Sequence, residues 1–575
     1  MKLRCLLFLC VLSLSALHVS ALDREAFTFT NCDLNVRVEP EQQRLAVRGK
    51  ITLRNDSQTP QRIAVLQISS SLDWRSIQAG GKPFQFVAQP YTSDIDHTGA
   101  LSEAIVTLPE AISPKSTISL EIAYEGVIVL DAARLMRIGT PEQAAQSTDW
   151  DQINLKFTAV RGVGYVAWYP IATEAASLSE GSSLFDTLGR WKAREASSTM
   201  HLQVAVSSGE EAEKPELLVN ATSCPTSHAA EREFVADCNY HSLGSVAPTF
   251  VIGNYEMVER AAVTVHFLRG HDSAATDYAD AAEKVVPFIT EWFGTPRNKA
   301  QTADLPDQNA APFESGPLLL TALTHSDPKL AGLVAAHQLT HSAFPSARPW
   351  INEGLAHFAQ ALYLEHVKGR QSALDYMGLH RSAFAAAAKQ PNAAPRAEDE
   401  TRQSLVNTTD EEFYRSKAMF VWWMLRDMLG DQGLKKALAA YRPEEDKDPS
   451  YMPRLLQAQT QKDLDWFFDD WVYRERGLPE FKVESAFVRK TLPEGYMVTI
   501  TVANSGGPGA EVPLTVKFAG GEVTKPLVVR GKSNGVIRVE VPKPPEEIVV
   551  NDGSVPESDI RNNVFKINAA DTAGK

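Results

Sequence analysis

Long apolar runs are scarce in this sequence of 575 residues. Beyond the N-terminal segment, no stretch approaches the roughly 18 apolar residues of a membrane-spanning helix, so we expect no transmembrane segment in the mature chain. An excess of positive charge is also missing, because 57 Lys and Arg residues face 71 Asp and Glu residues. The resulting net charge of −14 argues against nucleic-acid binding and against a role on anionic membrane surfaces.

Cysteine is rare as well, with five residues in the chain. A protein of this length buries a core without covalent links between its strands, so the sequence does not belong to the small disulfide-rich class. Cys224 and Cys238 flank a short polar stretch and can form a disulfide in an oxidising compartment, with Cys32 buried and free. Three reduced thiols are the alternative.

The first 21 residues have the pattern of a secretory signal peptide. Lys2 and Arg4 form a basic start, and Leu6 to Leu17 is an apolar core too short to span a bilayer. Small residues follow at Val19-Ser20-Ala21, as at a cleavage site. We therefore predict that the mature chain begins at Leu22 and is exported, to a periplasmic or extracellular location. An uncleaved membrane anchor is the alternative.

Residues 22–258 have the hydrophobic period of β-strands. Apolar residues such as Leu45 and Val47 alternate with polar ones, and turn-forming residues separate many such runs. This pattern predicts a large N-terminal antiparallel β domain. The segment Ala229–Tyr240 carries too much charge for a central strand of that domain.

Residues 259–479 have a different period. Ala275, Ala279 and Ala282 recur at helical spacing, and further helical runs follow, so this part is predicted to be a mostly helical domain. Strand-like alternation returns in residues 480–568, which predicts a C-terminal Ig-like β-sandwich, and residues 569–575 form a tail. The predicted fold class is therefore a multidomain α+β protein.

The sharpest local motif is a pair of histidines, His337 and His341, on a helix predicted to begin near Ser326. Positions four apart differ by about 40° around a helix and about 6 Å along it, so both imidazoles point to one place, as two nitrogen ligands of Zn²⁺ require. Glu353 begins the next amphipathic helix and is the candidate third ligand, with His357 as its rival. The structural alternatives are core histidines and a carboxylate at a helix start.

These residues resemble the aminopeptidase N-like family of gluzincin zinc metallopeptidases, also called the membrane alanyl aminopeptidase family. His337, His341 and Glu353 correspond to the family's zinc ligands, and Asn352-Glu353-Gly354 matches its motif directly. The resemblance covers nearly all of the mature chain. It implies one Zn²⁺ per chain, a saddle-like first domain, a thermolysin-like catalytic domain over residues 259–479 and peptide substrates.

The resemblance also implies roles for two other residues. Glu314 matches the acid of the family's G-A-M-E-N loop, which holds the free amine of the substrate, but the rest of Ala311–Ser315 departs from that loop. Tyr414 resembles the tyrosine that stabilises the oxyanion of the transition state. The spacer between the second histidine and the third ligand is shorter than the family's.

Gln338 is the largest departure, because the family has a glutamate there as general base. An amide cannot take a proton from zinc-bound water, and general-base catalysis is worth roughly 10²–10⁴ in rate. Two functions follow as hypotheses. One is an exported zinc metallopeptidase, an aminopeptidase hydrolysing N-terminal peptide bonds with strongly reduced activity. The other is a catalytically silent zinc-binding relative that binds peptides or a protein partner.

Overall fold

The chain folds into several separate β-sheets and a set of helices. A computed structural model describes residues 22–180, 183–207, 215–221, 224–230, 233–244, 246–325, 327, 329–387, 404–408, 410, 412–491 and 494–567. The predicted multidomain class with mixed α and β structure is confirmed. The predicted signal peptide and the predicted C-terminal tail lie outside the described residues.

The first part of the chain consists mainly of strands. They are β1 (Phe27–Glu39), β2 (Arg44–Asn55), β3 (Gln61–Ser69), β4 (Leu72–Ala79), β5 (Lys82–Pro83), β6 (Phe86–Thr92), β7 (Ala100–Ile112), β8 (Thr117–Val127), β9 (Phe157–Val160), β10 (Thr199–Ser207), β11 (Glu216–Val219), β12 (Thr226–Ala230), β13 (Glu233–Tyr240) and β14 (Phe250–Gly253). Three helices lie among them, α1 (Ala133–Arg137), α2 (Glu142–Thr148) and α3 (Ser183–Arg194).

Eight of these strands form one sheet in the order β12-β13-β10-β1-β2-β8-β4-β5. The strands β3, β7 and β6 form a second sheet, and β11, β14 and β9 a third. Pairing is antiparallel except between β1 and β10, which run parallel. This pair departs from the predicted antiparallel domain, because a long connection through α3 returns the chain to the free side of β1.

Strand β13 lies inside the large sheet, between β10 and β12, so the prediction that this segment is too charged for such a position is wrong. Its residues alternate: Ala236, Cys238 and Tyr240 are buried, while Glu233 and Asp237 are partly exposed. One face of the sheet contacts solvent, and an interior strand of such a sheet accommodates charge on that face.

A cysteine just before β12 is bonded to one in β13. Cys224 and Cys238 form a disulfide, and Cys32 is a buried free thiol. Of the two cysteine arrangements that the sequence left open, the structure contains the disulfide.

The middle part combines a sheet with most of the helices. Its elements are β15 (Glu256–Glu259), β16 (Val263–Phe267), α4 (Asp272–Phe293), β17 (Ala300–Asp304), β18 (Phe313–Ser315), β19 (Leu318–Thr321), α5 (Ala331–Ala343), α6 (Pro349–Lys368), α7 (Arg370–Ala387), α8 (Ala418–Ala440), α9 (Tyr451–Gln457) and α10 (Asp465–Phe468). Two π-helical segments, Glu412–Lys417 and Asp469–Tyr473, precede α8 and follow α10.

A five-stranded sheet in the order β15-β16-β17-β19-β18 opens this middle part. The helical periodicity did not predict it, because its strands are short and largely buried. The predicted division near residue 258 falls within β15. Helix α5 begins at Ala331, a few residues after the predicted start, and Ser326 itself lies outside the described residues.

The third part consists of β20 (Phe481–Thr491), β21 (Gly495–Asn504), β22 (Ala510–Phe518), β23 (Gly521–Val529), β24 (Ser533–Val541), β25 (Pro545–Val550) and β26 (Val564–Lys566). They form two antiparallel sheets, β20-β21-β24 and β23-β22-β25-β26. Val498 and Ile500 of one sheet and Val512 and Leu514 of the other are fully buried in a single apolar cluster, as in a β-sandwich.

The three parts are joined by buried contacts. The middle and third parts share one apolar cluster, and Trp471 donates a hydrogen bond of 2.7 Å to the carbonyl of Gly509. A small cluster joins the first part to the middle sheet, with Trp150 and Val251 on one side and Leu305 and Leu320 on the other. Among the described residues, no helix is long and apolar enough to cross a membrane.

Candidate metal site

Helix α5 places His337 and His341 on one side of the helix. The helix packs between α4 and α6, and its Ala335, Ala336 and Leu339 are fully buried. The Nε2 atoms of the two histidines are 3.1 Å apart, within hydrogen-bonding distance. Two Zn–N bonds of about 2.05 Å at the tetrahedral angle place the nitrogen atoms about 3.3 Å apart, so the pair fits a shared zinc ion.

Two carboxylates flank the imidazole pair. Glu353 on α6 divides its oxygens between the two rings, with Oε1 3.7 Å from His341 Nε2 and Oε2 3.9 Å from His337 Nε2. Glu314 on β18 places Oε2 3.5 Å from His337 Nε2. Ligand atoms of Glu314, His337 and His341 all lie within 4.8 Å of one another, a group that could hold a metal ion. The structure therefore brings together the predicted ligands and the predicted amine anchor.

Glycine explains how α6 brings Glu353 to this place. A Cβ atom on Gly354 would lie 2.6 Å from Cβ of Ala418 on α8, so only glycine permits this approach of the two helices. The rings of Trp350 and Trp422 stack at 5.2 Å beside it, and Trp422 donates to the carbonyl of Trp350. The glycine that follows the candidate ligand thus has a packing reason.

The position of Glu314 depends on the first part of the chain. Arg161 lies between the rings of Trp150 and Tyr165, with its Cζ atom 3.7 and 3.6 Å from their centres. Tyr165 in turn meets the ring of Phe313, next to Glu314, edge-on at 5.4 Å. We call Trp150, Arg161, Tyr165 and Phe313 the aromatic clamp.

Hydrogen bonds from side chains to main-chain carbonyls hold both ends of the same segment. Trp150 donates from Nε1 to the carbonyl of Ala311 at 3.0 Å, and Asn220 donates from Nδ2 to the carbonyl of Ser315 at 3.4 Å. Strand β18 is therefore fixed by residues distant in sequence, and its carboxylate is held toward α5.

Burial and neighbouring charge shift the ionisation of the cluster. Burial raises the pKa of the Glu314 carboxyl well above its usual range, and the Glu353 charge raises it further. Burial also raises the pKa of Glu353, but His341, Arg415, His337 and His357 together lower it by more, so its net shift is downward. Burial lowers the pKa of His337 well below its usual range, with His341 adding to the shift. His337 is therefore neutral at pH 7, the form that binds a metal.

The sequence interpretation missed Arg415. Its Nε atom is 3.5 Å from Oε2 of Glu353, and it lies in the π-helix Glu412–Lys417, which packs against α6. The predicted oxyanion residue, Tyr414, is in the same π-helix, 4% exposed, with its ring centre 6.0 Å from Arg415 Cζ. Arg415 directly follows Tyr414 in the sequence, and this adjacency is the signal that could have pointed to it.

His357, the rival ligand, lies beside the pair. Its ring centre is 4.9 Å from that of His337 and 5.4 Å from that of His380 on α7. Burial lowers the pKa of His357 to about 3. Its Nδ1 atom is buried and has no hydrogen-bond partner among the described residues. His357 extends the imidazole row without joining the close group of Glu314, His337 and His341.

Gln338 is fully buried on another side of α5. Its Oε1 accepts hydrogen bonds from Tyr278 (2.8 Å) and Thr302 (3.2 Å), and its Nε2 donates to the carbonyl of Gln301 (2.9 Å). These partners belong to α4 and β17, and none of them is a candidate ligand. The amide uses both an acceptor and a donor here, which an ionised carboxylate cannot do.

Comparison with known proteins adds no relative: no family model matches the chain, and no curated protein matches it. The relation to aminopeptidase N-like peptidases therefore stays a resemblance, carried by the motif residues described above.

Proposed function

We propose that the chain is an exported, zinc-binding protein of the aminopeptidase N-like type, which binds peptides at the cluster on α5 and hydrolyses them slowly or not at all. His337, His341 and Glu353 would hold the ion. When bound, zinc polarises a carbonyl group and lowers the pKa of a bound water molecule. In support of zinc, the spacing of the imidazole nitrogens matches two tetrahedral ligands.

The observation that carries the weak-hydrolysis part of the proposal is the hydrogen bonding of Gln338. Position 338 would have to supply the base, yet its side chain is an amide whose three hydrogen bonds tie it to α4 and β17. Without a group that takes the proton from water, a loss of roughly 10²–10⁴ in rate is expected.

The architecture supports the same proposed function. We assign the middle part as the thermolysin-like domain, since a sheet is followed by two helices that carry the candidate ligands, α5 and α6. The strand-rich first part and the third part with two sheets follow the order that the family resemblance implies. The Cys224–Cys238 disulfide is compatible with an oxidising, exported location.

An active aminopeptidase is the second candidate, and the position of Glu314 favours it. Its carboxylate oxygen lies 3.5 Å from His337 Nε2, so a carboxylate does stand at the cluster, supplied by β18 in place of position 338. In that case Glu314 would serve as the base and not as the amine anchor.

One experiment separates these functions. Zinc content and hydrolysis of alanyl and leucyl fluorogenic amides are measured for the mature chain, for Glu314→Gln and for His337→Ala as the control without a metal site. We expect one zinc per mature chain and hydrolysis close to that of the control, which Glu314→Gln does not change. Ordinary turnover that Glu314→Gln abolishes would establish the active enzyme instead. A mature chain that takes up no zinc would overturn both functions.

A further inference from the structure

The cluster on α5 has two carboxylates beside the imidazole pair, with Glu314 3.5 Å from His337 Nε2 and Glu353 3.7 and 3.9 Å from the two Nε2 atoms. An open catalytic zinc site has three protein ligands and a water. We propose that Glu314 is a fourth zinc ligand, so that two imidazoles and two carboxylates enclose the ion and leave no position for water. This inference rests on the proposed zinc site at His337 and His341. It assigns Glu314 a role other than the amine anchor of the sequence prediction or the base of the second candidate.

Distances carry the first step. Zinc bonds of about 2.0–2.2 Å at the tetrahedral angle place neighbouring ligand atoms roughly 3.3–3.6 Å apart. The 3.5 Å between Glu314 Oε2 and His337 Nε2 falls in that range, and the two distances of Glu353, 3.7 and 3.9 Å, are slightly longer. Glu314 thus meets this spacing toward His337, and the ligand atoms of Glu314, His337 and His341 all lie within 4.8 Å of one another.

The second step is an unpaired oxygen. Oε1 of Glu314 is buried and has no hydrogen-bond partner among the described residues. Leaving a buried polar atom without a partner costs about 1–3 kcal/mol, and more for a charged group. An ion that both oxygens of this carboxylate contact removes that penalty. Glu314 therefore has the incomplete contacts of a ligand, in contrast to Gln338, whose amide is fully bonded.

The third step is rigidity. Strand β18 is held by the aromatic clamp and by the hydrogen bonds of Trp150 to Ala311 and of Asn220 to Ser315. A metal ligand is effective when such contacts place it in advance. Here the contacts come from the first part of the chain, so the placement of a ligand in the middle part would depend on the first part.

Zinc affinity is the first test. The mature chain, Glu314→Gln and Glu353→Gln are titrated with zinc chloride against a chelator, with Glu365→Gln as the matched control, because Glu365 is a carboxylate on α6 that pairs with Arg426. We expect Glu314→Gln to weaken zinc binding by at least about 100-fold, beyond the roughly 10–100-fold of partners outside the coordination sphere. The control should bind as the parent does.

The second test asks whether a coordination position is open. Azide is added to the cobalt-substituted chain, and the visible spectrum is followed. We expect no change in the parent, and a change in Glu314→Gln, where the lost ligand opens a position. Glu314→Asp, which keeps the charge on a shorter side chain, replaces the amide variant if the latter does not fold.

The outcomes separate this inference from the proposed function. A parent whose cobalt spectrum responds to azide, or a Glu314→Gln variant with parental zinc affinity, overturns the fourth ligand and leaves the zinc site intact. A parent that binds no zinc overturns the proposed function itself.

Discussion

Two sides of helix α5 differ in how completely their polar atoms are paired. On one side, Gln338 is fully buried and each end of its amide has a hydrogen-bond partner. On the other side, His337 and His341 face each other, while Glu314 Oε1 and His357 Nδ1 are buried without partners among the described residues. Buried polar groups in proteins are normally hydrogen-bonded, so the incomplete side is where a ligand is expected and the complete side is structural.

The comparison also changes the meaning of the residue at position 338. From the sequence alone, the amide is a defective catalytic group. In the structure it joins α5 to α4 and β17 with the donor and acceptor that this position requires. The amide at the position where the family resemblance predicts a base is thus the same one that completes the packing of the helix.

The largest effect should follow a change on the unpaired side. His341→Ala removes a nitrogen ligand, and we expect zinc affinity to fall more than about 100-fold, beyond the range of residues outside the coordination sphere. Chelator competition measures the change, with His325→Ala as the control, since His325 is exposed and distant from the pair in sequence. Equal zinc affinities of the two variants would show that the imidazole pair forms only a hydrogen bond and does not bind the metal.

A change on the paired side should affect stability first. Gln338→Glu places a carboxylate against the carbonyl of Gln301 and removes the donor, which should cost about 1–3 kcal/mol of unfolding free energy. For a part of this size, that lowers the unfolding midpoint by roughly 2–4 °C per kcal/mol in calorimetry. Peptide hydrolysis should not rise.

The pH dependence of this variant provides its control. A protonated carboxyl donates and accepts like an amide, so the deficit of Gln338→Glu should shrink as the pH falls and grow as the carboxyl ionises. Gln338→Met, which cannot donate at any pH, should keep its deficit throughout. A gain in hydrolysis of the roughly 10²–10⁴ typical of a general base would refute the structural role and restore position 338 to the chemistry.

A smaller effect is expected from the partner of the amide. Tyr278→Phe removes one of two donors to Gln338 Oε1, while Thr302 still donates, so we expect a loss of about 1 kcal/mol in denaturant unfolding. Tyr376→Phe is the control, because Tyr376 donates a similar bond of 2.8 Å to Gln360 at a partly exposed place. A larger loss of unfolding free energy in Tyr376→Phe than in Tyr278→Phe would contradict this expectation.

The smallest effect concerns a fully paired histidine on the surface. His201 lies between Asp33 (2.8 Å) and Asp237 (3.1 Å), and its hydrogen bond to Asp33, then that to Asp237, raises its pKa. A raised folded pKa stabilises the protein below the unfolded pKa of about 6.5 and loses this contribution as the pH rises through the folded value. Because all three side chains are exposed, we expect about 0.2–1 kcal/mol after solvent screening.

Unfolding of the parent and of His201→Gln at about pH 6 and about pH 9 measures this contribution, since the first pH lies below the unfolded pKa of about 6.5 and the second well above it. Their difference should shrink at the higher pH. If the difference in unfolding free energy is the same at both pH values, the charge of His201 does not contribute to stability.

Much of the fold was predictable because periodicity is a local property. Alternation identified strands such as β21 and β22, and helical spacing identified α4 in spite of Pro287. Periodicity did not predict the middle sheet, because strands such as Ala300–Asp304 are too short and too buried to alternate. The position of β13 was misjudged, because charge on a solvated face does not exclude an interior strand.

The candidate site was likewise predictable only in part. His337 and His341 converge through helix geometry, which sequence spacing gives directly. The approach of Glu314 and the ion pair of Arg415 with Glu353 depend on contacts between distant segments, so no local pattern contains them.

The aromatic clamp has a consequence for how the parts of the protein hold together. Tyr165 and Phe313 connect the strand-rich first part to the strand that carries Glu314. Coupling between two binding events is reciprocal, so an ion that needs this strand in place must in turn favour the contact that places it. Zinc would then act as a tether between two regions that no disulfide joins among the described residues, and its supply would set how firmly they stay docked.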